Sequence, residues 1–516
     1  MIGSQDPHQR SGRTGRQARA GRLRAALLAA GLVLAGLPAP AQTTPPPDHA
    51  AASSPRPAGT PCHVKGLSDR ALCYRVPVPL DRADPAAGTL SLQVAVLPAR
   101  AARPAASPLV VLPGGPGQAA GDAGPLIAQA LAEVRETRDI LLMDARGTGQ
   151  SHPLRCRHDP DGEDGLSALG LTAAQSADHI LACRAAWDLD LRRVTTPDVV
   201  EDLEAVRQAL GYPALDLWGV SWGTRVALLY SKAHPAAVRS MVLDGVAPPN
   251  VRLFLEESRA ADAALRAYLR ACAADAGCAA AFPDLEARLE AYLAGLDSGA
   301  SARTVQPVRG TTAPVPLTRD GVVQAIRAAL YTPDSGVRLP YVLDRLIRGD
   351  ATAFLALSMG GAGMLEETMH LGVTLGSLCR EEVQRTPAAD VAAADAGSFT
   401  RDSWYRAWAE ACTTLPVEPL PAGYDSPATA DVPVLLLSGG LDPVTPPASA
   451  EQAARHLPRA RHLVAPFSGH NVTGFGCAKD LIADFVAAGS AEGLNPACLS
   501  ERGLPPFQLT DMGPAP

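Results

Sequence analysis

Residues 215–230 read LDLWGVSWGTRVALLY, and this stretch decides the fold because a short buried strand runs through a sharp bend into a helix. The residues before the bend are largely apolar, and those after Gly223 form a helix too apolar to lie on a surface. Gly219 and Gly223 flank Ser221 in the pattern G-x-S-x-G. In such a bend the serine takes a positive φ, and glycine at both flanks avoids side-chain collisions. The stretch therefore predicts a nucleophile elbow.

The same pattern can also arise by chance, since the chain contains 46 glycines. The strand before Ser221 and the helix after it favour the elbow, because the motif requires that context. At the start of this helix, the backbone N–H of Trp222 would be free to donate a hydrogen bond to a developing oxyanion. Ser221 is thus a candidate nucleophile, and Trp222 a candidate oxyanion donor.

The composition is that of a large globular protein. Of the 516 residues, 47% are hydrophobic and 19% are charged, so the chain can bury an extensive core. The formal net charge is -7, and no dense run of Lys and Arg occurs outside the extreme N-terminus. These features argue against nucleic acid as a partner.

The N-terminal residues 1–41 have the pattern of a secretory signal peptide. Six arginines precede the apolar run 25–37, and the small-residue site 39–41 follows it. A basic helix of the folded protein is the alternative, but the run is apolar on all sides. It is too short to span a bilayer, and no later run is long enough for a membrane anchor. We therefore predict a secreted or periplasmic protein that starts at Gln42, with a Pro/Ala/Thr-rich linker over 42–60.

The ten cysteines fit an exported protein, because their number is even and disulfides persist in oxidising compartments. Their grouping suggests that each pairs with its neighbour in sequence. No C-x-x-C and no Cys/His cluster with zinc spacing occurs, so metal binding is the weaker interpretation. The candidate pairs are Cys62 with Cys73, Cys156 with Cys183, Cys272 with Cys278, Cys379 with Cys412, and Cys477 with Cys498.

Strand and helix patterns alternate on both sides of the elbow. This alternation predicts an α/β fold whose sheet is mostly parallel, with helices on both faces. Strands are predicted at 75–80, 89–97, 109–112, 140–143, 215–220, 240–243, 432–437 and 462–464, and helices at 121–138, 173–189, 196–210 and 478–488. The first two strands should form an antiparallel hairpin. The predicted organisation is a core over 61–250, an all-helical insertion over 251–430, the rest of the core over 431–500, and a tail over 501–516.

Two loops are predicted to lie at the same edge of the sheet as Ser221. The strand at 109–112 opens into the sequence PGGPG, which lacks the G-K-[ST] ending of a phosphate loop. A plain tight turn is possible, but we favour an oxyanion loop in which backbone N–H groups, including that of Gly115, approach a substrate carbonyl. In the loop after the next strand, we expect Asp144 and Arg146 to form a charge pair that fixes the loop.

A serine nucleophile needs a base, and the base needs a carboxylate to orient it. The last two predicted strands end in Asp442 and His470, which gives the chain order Ser, Asp, His of α/β-hydrolases. Either residue alone would be an ordinary turn or surface residue. Together they predict a relay in which His470 takes the proton of Ser221 and Asp442 holds the imidazole, with no cofactor required.

Five motifs in register resemble the exported bacterial branch of the prolyl aminopeptidase and tripeptidyl aminopeptidase family of α/β-hydrolases. They are LPGGPG, DARGTGQS, GVSWGT, GGLDPVTPP and SGHN, and the match covers about 62–498. The resemblance implies an α/β-hydrolase fold with an eight-stranded sheet and a helical lid over the site. It also implies serine exopeptidase activity on short peptides with free N-termini. By the same match, the triad is Ser221, Asp442 and His470, and the oxyanion pair is Gly115 and Trp222.

The resemblance further suggests where a substrate amine would bind. In family members, acidic residues of the lid capture the α-amine, and the sequence LCREE resembles the family's Cys-x-Glu stretch. Glu381 is therefore the first candidate and Glu382 the second, with a solvated acidic pair as the alternative. Pro113 departs from the many relatives that carry His before the glycines. An exported esterase or lipase-like hydrolase, and a non-catalytic binding protein on the same fold, remain alternatives.

Overall fold

The computed structural model describes residues 57–124, 127, 130–156, 170–296, 300–305, 312–358 and 368–514. The predicted signal peptide and most of the predicted linker lie outside these ranges. Within them, no helix combines the length and the apolar character needed to cross a membrane.

Nine strands form the central sheet, in the order β1-β2-β3-β5-β4-β6-β7-β10-β11. In this order, the neighbouring strands from β1 to β5 pair antiparallel, and the neighbouring strands from β5 to β11 pair in parallel. The strands of this sheet are β1 (Thr60–His63), β2 (Arg70–Pro79), β3 (Thr89–Leu97), β4 (Leu109–Leu112), β5 (Ile140–Met143), β6 (Leu215–Val220), β7 (Val238–Asp244), β10 (Val434–Gly439) and β11 (Ala460–Ala465). The strands β8 (Ala300–Val305) and β9 (Thr312–Leu317) form a separate two-stranded sheet. The prediction of a mostly parallel sheet is confirmed.

The predicted strand count of eight is wrong by one edge strand. The additional strand is β1, which pairs with the start of β2. Its sequence TPCH has no apolar alternation and is largely exposed, so no pattern marks it as a strand. It is held instead by pairing to β2 and by the disulfide between Cys62 and Cys73.

Helices cover the sheet and build most of the insertion. Those that the structure describes over their whole length are α1 (Ala173–Arg184), α2 (Thr196–Ala209), α3 (Trp222–Ala233), α4 (Leu253–Ala274), α5 (Ala276–Ala281), α6 (Leu285–Gly295), α7 (Arg319–Ala329), α8 (Pro333–Gly336), α9 (Leu339–Ile347), α10 (Leu371–Glu381), α11 (Ala388–Ala394), α12 (Ser403–Cys412), α13 (Pro447–Ala454), α14 (Ala478–Ala488) and α15 (Cys498–Glu501). The segment predicted as one helix over 121–138 is helical only in part. It begins and ends in 3-10 turns, Ala120–Ala123 and Val134–Glu136, and the described residues 124, 127 and 130 between them are α-helical.

The insertion between β7 and β10 is not all-helical as predicted. It contains an antiparallel hairpin formed by β8 and β9. The prolines at 314 and 316 predict a loop in place of β9. A two-stranded sheet tolerates them, because both of its strands are edge strands. The insertion has its own apolar cluster, which includes Tyr268, Leu343 and Phe354.

All five predicted disulfides are present in the described residues. Among them, Cys379 on α10 bonds Cys412 on α12, and Cys477 before α14 bonds Cys498 on α15. Each native bridge contributes about 2–4 kcal/mol, mainly by restricting the unfolded chain.

Parallel pairing brings the carboxyl ends of β4, β6, β7, β10 and β11 to one edge of the sheet. The loops that carry the candidate site residues all leave the sheet at this edge. Ligand sites in open α/β sheets lie at the carboxyl ends of the strands. The topology therefore gathers residues that are more than 200 positions apart in sequence.

Candidate active site

Ser221 lies in a strained bend between β6 and α3. Its φ is 55° and its ψ is -122°, and its N–H donates to the Asp244 carbonyl at 2.8 Å. A Cβ on Gly219 would lie 2.6 Å from the Gly223 carbonyl oxygen, and one on Gly223 would lie 1.9 Å from the Leu112 carbonyl oxygen. Both flanking positions thus exclude a side chain, which is the geometry expected of a nucleophile elbow.

Replacing Gly223 by alanine should destabilise the protein strongly, because the new methyl group would meet a backbone atom that cannot rotate away. We expect the free energy of unfolding to fall by about 3 kcal/mol or more. Gly295→Ala is the matched control, since a Cβ there meets nothing within 4 Å. Chemical denaturation of both variants measures the difference. Equal unfolding free energies would contradict the close approach of β4 and α3.

The structure brings Ser221, His470 and Asp442 into one hydrogen-bonded relay. His470 Nε2 lies 2.9 Å from Ser221 Oγ, and His470 Nδ1 lies 2.9 Å from Asp442 Oδ2. The side chains of His470 and Asp442 are 5% and 0% exposed. A carboxylate can only accept, so Nδ1 carries the proton and Nε2 is left to accept from the serine hydroxyl. This arrangement can transfer an acyl group through the serine oxygen.

Asp442 is held by the turn that follows β10. Its Oδ1 accepts from the N–H groups of Val444 and Thr445, each at 2.8 Å. The Thr445 hydroxyl donates to Oδ2 at 2.8 Å and lies 3.2 Å from His470 Nδ1. Three donors besides the imidazole therefore fix the carboxylate, which in turn fixes the ring.

The candidate oxyanion loop packs directly against the serine. A side chain on Gly114 would begin 3.0 Å from the Cβ of Ser221. Gly115, the next residue, has a φ of 110°. Trp222 is the first residue of α3, and N–H groups in a first helical turn have no partner within the helix. Trp222 thus directly follows Ser221, and Gly115 directly follows the glycine that packs against Ser221.

Two residues of the loop after β5 have structural roles, but they do not pair with each other as predicted. The Asp144 carboxylate accepts from the Gly121 and Gln150 N–H groups, and burial raises its pKa. Arg146 is fully buried and forms a two-pronged ion pair with Asp202, at 2.6 and 2.7 Å. The partner on α2 lies 56 residues along the chain, which sequence patterns do not reveal.

Asp244, at the end of β7, is a supporting residue that the sequence did not single out. Its carboxylate accepts from the N–H groups of Val472 and Thr473 and from the Thr473 hydroxyl. Burial raises the pKa of Asp244, and these hydrogen bonds oppose that rise. The residue fixes the loop that carries His470. Its position at the carboxyl end of a predicted strand was the available signal.

The insertion contacts this loop through Tyr331, just after α7. Its carbonyl accepts from the His470 N–H at 2.8 Å, and its ring packs edge-on against the His470 imidazole with centroids 5.1 Å apart. The insertion therefore forms part of the wall of the candidate site.

Glu381 is fully buried and does not present a free carboxylate. Oε1 accepts from the Thr196 N–H at 2.7 Å, and Oε2 accepts from the Tyr424 hydroxyl at 2.5 Å. Burial raises the pKa of Glu381, and the neighbouring Arg225 opposes that rise. The Thr196 hydroxyl also accepts from the Trp222 indole N–H at 2.9 Å. Glu381 thus belongs to a network that supports Trp222.

Glu382 is also fully buried. It forms ion pairs with Arg225 and Arg385, and it accepts from the Leu253 N–H at 2.8 Å. Arg225 stacks on the Trp222 ring at 4.2 Å. The interpretation of both glutamates as amine ligands has to be revised, because their carboxylates are engaged by protein donors that hold α3. The alternative of a solvated pair is also wrong.

Comparison with known proteins places the chain among hydrolases. The model of the α/β hydrolase fold family matches residues 107–476. The chain is 27% identical to serine protease Hip1 of Mycobacterium tuberculosis, over 84% of this chain and 88% of that protein. It is 24% identical to tripeptidyl aminopeptidase of Streptomyces coelicolor, over 83% and 82% of the two chains. A proline iminopeptidase of Neisseria gonorrhoeae is 29% identical over 27% of this chain and 32% of its own length. This chain therefore belongs to the α/β hydrolase fold family and is an enzyme of the hydrolase class.

Proposed function

We propose that this protein is an exported serine exopeptidase that removes residues from peptides with a free N-terminus, through an acyl-enzyme on Ser221. The observation that carries the proposal is the 2.9 Å separation of Ser221 Oγ from His470 Nε2, in a relay completed by Asp442. The relatives named as a serine protease and as a tripeptidyl aminopeptidase support peptides as the substrates.

In the proposed reaction, His470 takes the proton of Ser221 while Oγ attacks the scissile carbonyl. The Gly115 and Trp222 N–H groups stabilise the negative charge on the carbonyl oxygen. His470 then gives the proton to the leaving amine, and the N-terminal part of the substrate stays as an ester on Ser221. Water, activated by the same imidazole, releases it as an acid. General-base catalysis raises the reaction rate about 10²–10⁴-fold, and each oxyanion donor raises it about 10²–10³-fold.

An exopeptidase of this kind must neutralise a desolvated ammonium group. With Glu381 and Glu382 engaged elsewhere, the insertion offers Glu257 and Asp395, which line one pocket. Glu257 forms an ion pair with Arg327, and its Oε2 has no hydrogen-bond partner among the described residues. Asp395 Oδ1 is likewise unpartnered in the described part of the chain, and burial raises the pKa of Asp395 to about 6.

The surroundings of this pocket suit a cation and connect it to the candidate site. Phe254 and Tyr405 line the same pocket, and aromatic faces attract ammonium groups. Arg327 and Arg401 line it as well, and Arg327 stacks on the Trp404 ring at 4.3 Å. Arg327 lies 3.4 Å from the hydroxyl of Tyr331, whose ring packs against His470. We propose that the substrate's α-amine binds at Glu257 and Asp395.

Glu257→Gln should raise KM for free tripeptide substrates about tenfold or more, because a desolvated charge pair is lost. The same change should leave hydrolysis of N-acetylated substrates unaffected. Glu256→Gln, one residue earlier on α4 and more exposed, is the matched control. Steady-state kinetics on free and N-acetylated mono-, di- and tripeptide anilides measure both effects. Equal rates on blocked and free substrates in the unmodified enzyme would favour an esterase.

Export is supported by the five disulfides, because such bonds form and persist in oxidising compartments. We propose that the protein acts in the periplasm or outside the cell.

A further inference from the structure

His370 immediately precedes α10 in the insertion, and it is fully buried. Both of its ring nitrogens contact backbone groups of loops at the candidate site. Nδ1 lies 2.9 Å from the Gly117 carbonyl oxygen, and Nε2 lies 2.9 Å from the Gly149 nitrogen. A carbonyl only accepts and a backbone N–H only donates, so the imidazole is neutral with its proton on Nδ1.

The same segment contacts the oxyanion loop in three further ways. The His370 N–H donates to the Gly117 carbonyl at 2.9 Å, and the Thr374 hydroxyl donates to the Pro116 carbonyl at 2.6 Å. Gln118 forms an antiparallel bridge with Met369. Gly117 has a φ of 111°, and a Cβ there would lie 2.8 Å from the His370 carbonyl oxygen. The start of α10 therefore fits the loop closely.

The electrostatic surroundings keep the ring neutral. Burial lowers the pKa of His370 to about 4, and the hydrogen bond to Gly117 opposes this effect only in part. The charged groups that act on the ring are Arg155 and Asp122, which form an ion pair with each other. Asp144 lies in the Gly149 loop, where its carboxylate accepts from two backbone N–H groups.

We propose that His370 is a positioning residue for the oxyanion hole, which it serves by holding the Gly117 carbonyl through its Nδ1–H. The inference rests on the proposed serine mechanism. Gly115 is two residues from Gly117, so a shift of this carbonyl moves the Gly115 N–H relative to Ser221. The insertion thus supplies an imidazole to this loop from a distant part of the chain.

The test measures how fast a fluorophosphonate labels Ser221, since this reaction needs the relay and the oxyanion hole but no peptide recognition. His370→Ala should lower the second-order rate constant of labelling about 10–100-fold, because oxyanion stabilisation depends on donor placement. For any substrate that the enzyme turns over, kcat should fall by a similar factor while KM changes less than about twofold.

Two further variants separate positioning from packing. His370→Asn places an amide N–H near the position of Nδ1 and keeps the donor to Gly117, whereas His370→Gln keeps an acceptor near Gly149. We expect the asparagine variant to label faster than the glutamine variant. Simple filling of space predicts the reverse order, because glutamine is closer to histidine in volume. His456→Asn, at an exposed position, is the control and should label at the unmodified rate.

Each outcome decides a separate question. Faster labelling of the His370→Asn variant than of the His370→Gln variant supports the proposal. Equal rates or the reverse order overturn it. If the alanine variant does not fold, the comparison of asparagine with glutamine carries the test. No labelling of the unmodified protein would instead contradict the serine mechanism.

Discussion

Replacing Ser221 by alanine is expected to lower kcat/KM for aminoacyl and short peptidyl anilides by roughly 10⁵–10⁶-fold. The hydroxyl is the group that attacks in the proposed reaction, and its Oγ already lies 2.9 Å from the base. Stability should change little, because alanine at the same positive φ carries the strain that serine carries. Steady-state kinetics and a thermal unfolding curve measure the two quantities.

Retained turnover by this variant, at more than about a hundredth of the original rate, would remove Ser221 from the mechanism. Loss of both activity and folding would leave Ser221→Cys as the informative variant, because it keeps a side chain of similar size. If the Ser221→Cys variant folds but hydrolyses anilides very slowly, the hydroxyl is again identified as the reacting group.

Asp442→Asn is expected to lower kcat about 10⁴-fold with little change in KM. An asparagine amide facing Nδ1 would favour the tautomer with its proton on Nε2, and that nitrogen could no longer accept from Ser221. The Val444 and Thr445 N–H groups donate to Oδ1, so the asparagine oxygen is held there and its NH₂ group replaces Oδ2.

Asp431→Asn is the matched control, because this exposed aspartate precedes β10 whereas Asp442 follows it. Its kinetics should be unchanged. An Asp442→Asn variant with a kcat within tenfold of the unmodified enzyme would show that another group orients His470.

The fold and the relay could be predicted because their signals are local. The sequence around Ser221 contains the strand, the bend and the helix in one stretch, and the two glycines are required by close backbone contacts. Asp442 and His470 follow the last two strands of the sheet, β10 and β11, so their parallel pairing brings the two residues to one edge. The disulfides were predictable because paired cysteines are neighbours along the chain.

The supporting residues could not be predicted, because their partners are distant in sequence. Glu381 bonds the N–H of a residue 185 positions away, and Glu382 pairs with one 157 positions away. His370 contacts Gly117 across 253 positions. No local sequence feature distinguishes a glutamate that accepts hydrogen bonds from buried protein donors from a glutamate that binds a substrate amine. The resemblance identified an acidic stretch, but only the tertiary contacts showed what its carboxylates bind.

The edge strand β1 illustrates the same limit. Its residues have no alternating pattern, and its pairing with β2 is a contact that its own sequence does not encode. The hairpin of β8 and β9 was missed because prolines in a strand normally indicate a loop.

The most direct test of the central claim is the location of a covalent label. The protein is incubated with a fluorophosphonate, digested, and mapped by mass spectrometry. We predict one phosphonyl group per chain, attached to Ser221, and no label after His470→Ala. Labelling of a different serine, or complete hydrolytic activity in a protein whose Ser221 remains unmodified, would contradict the account.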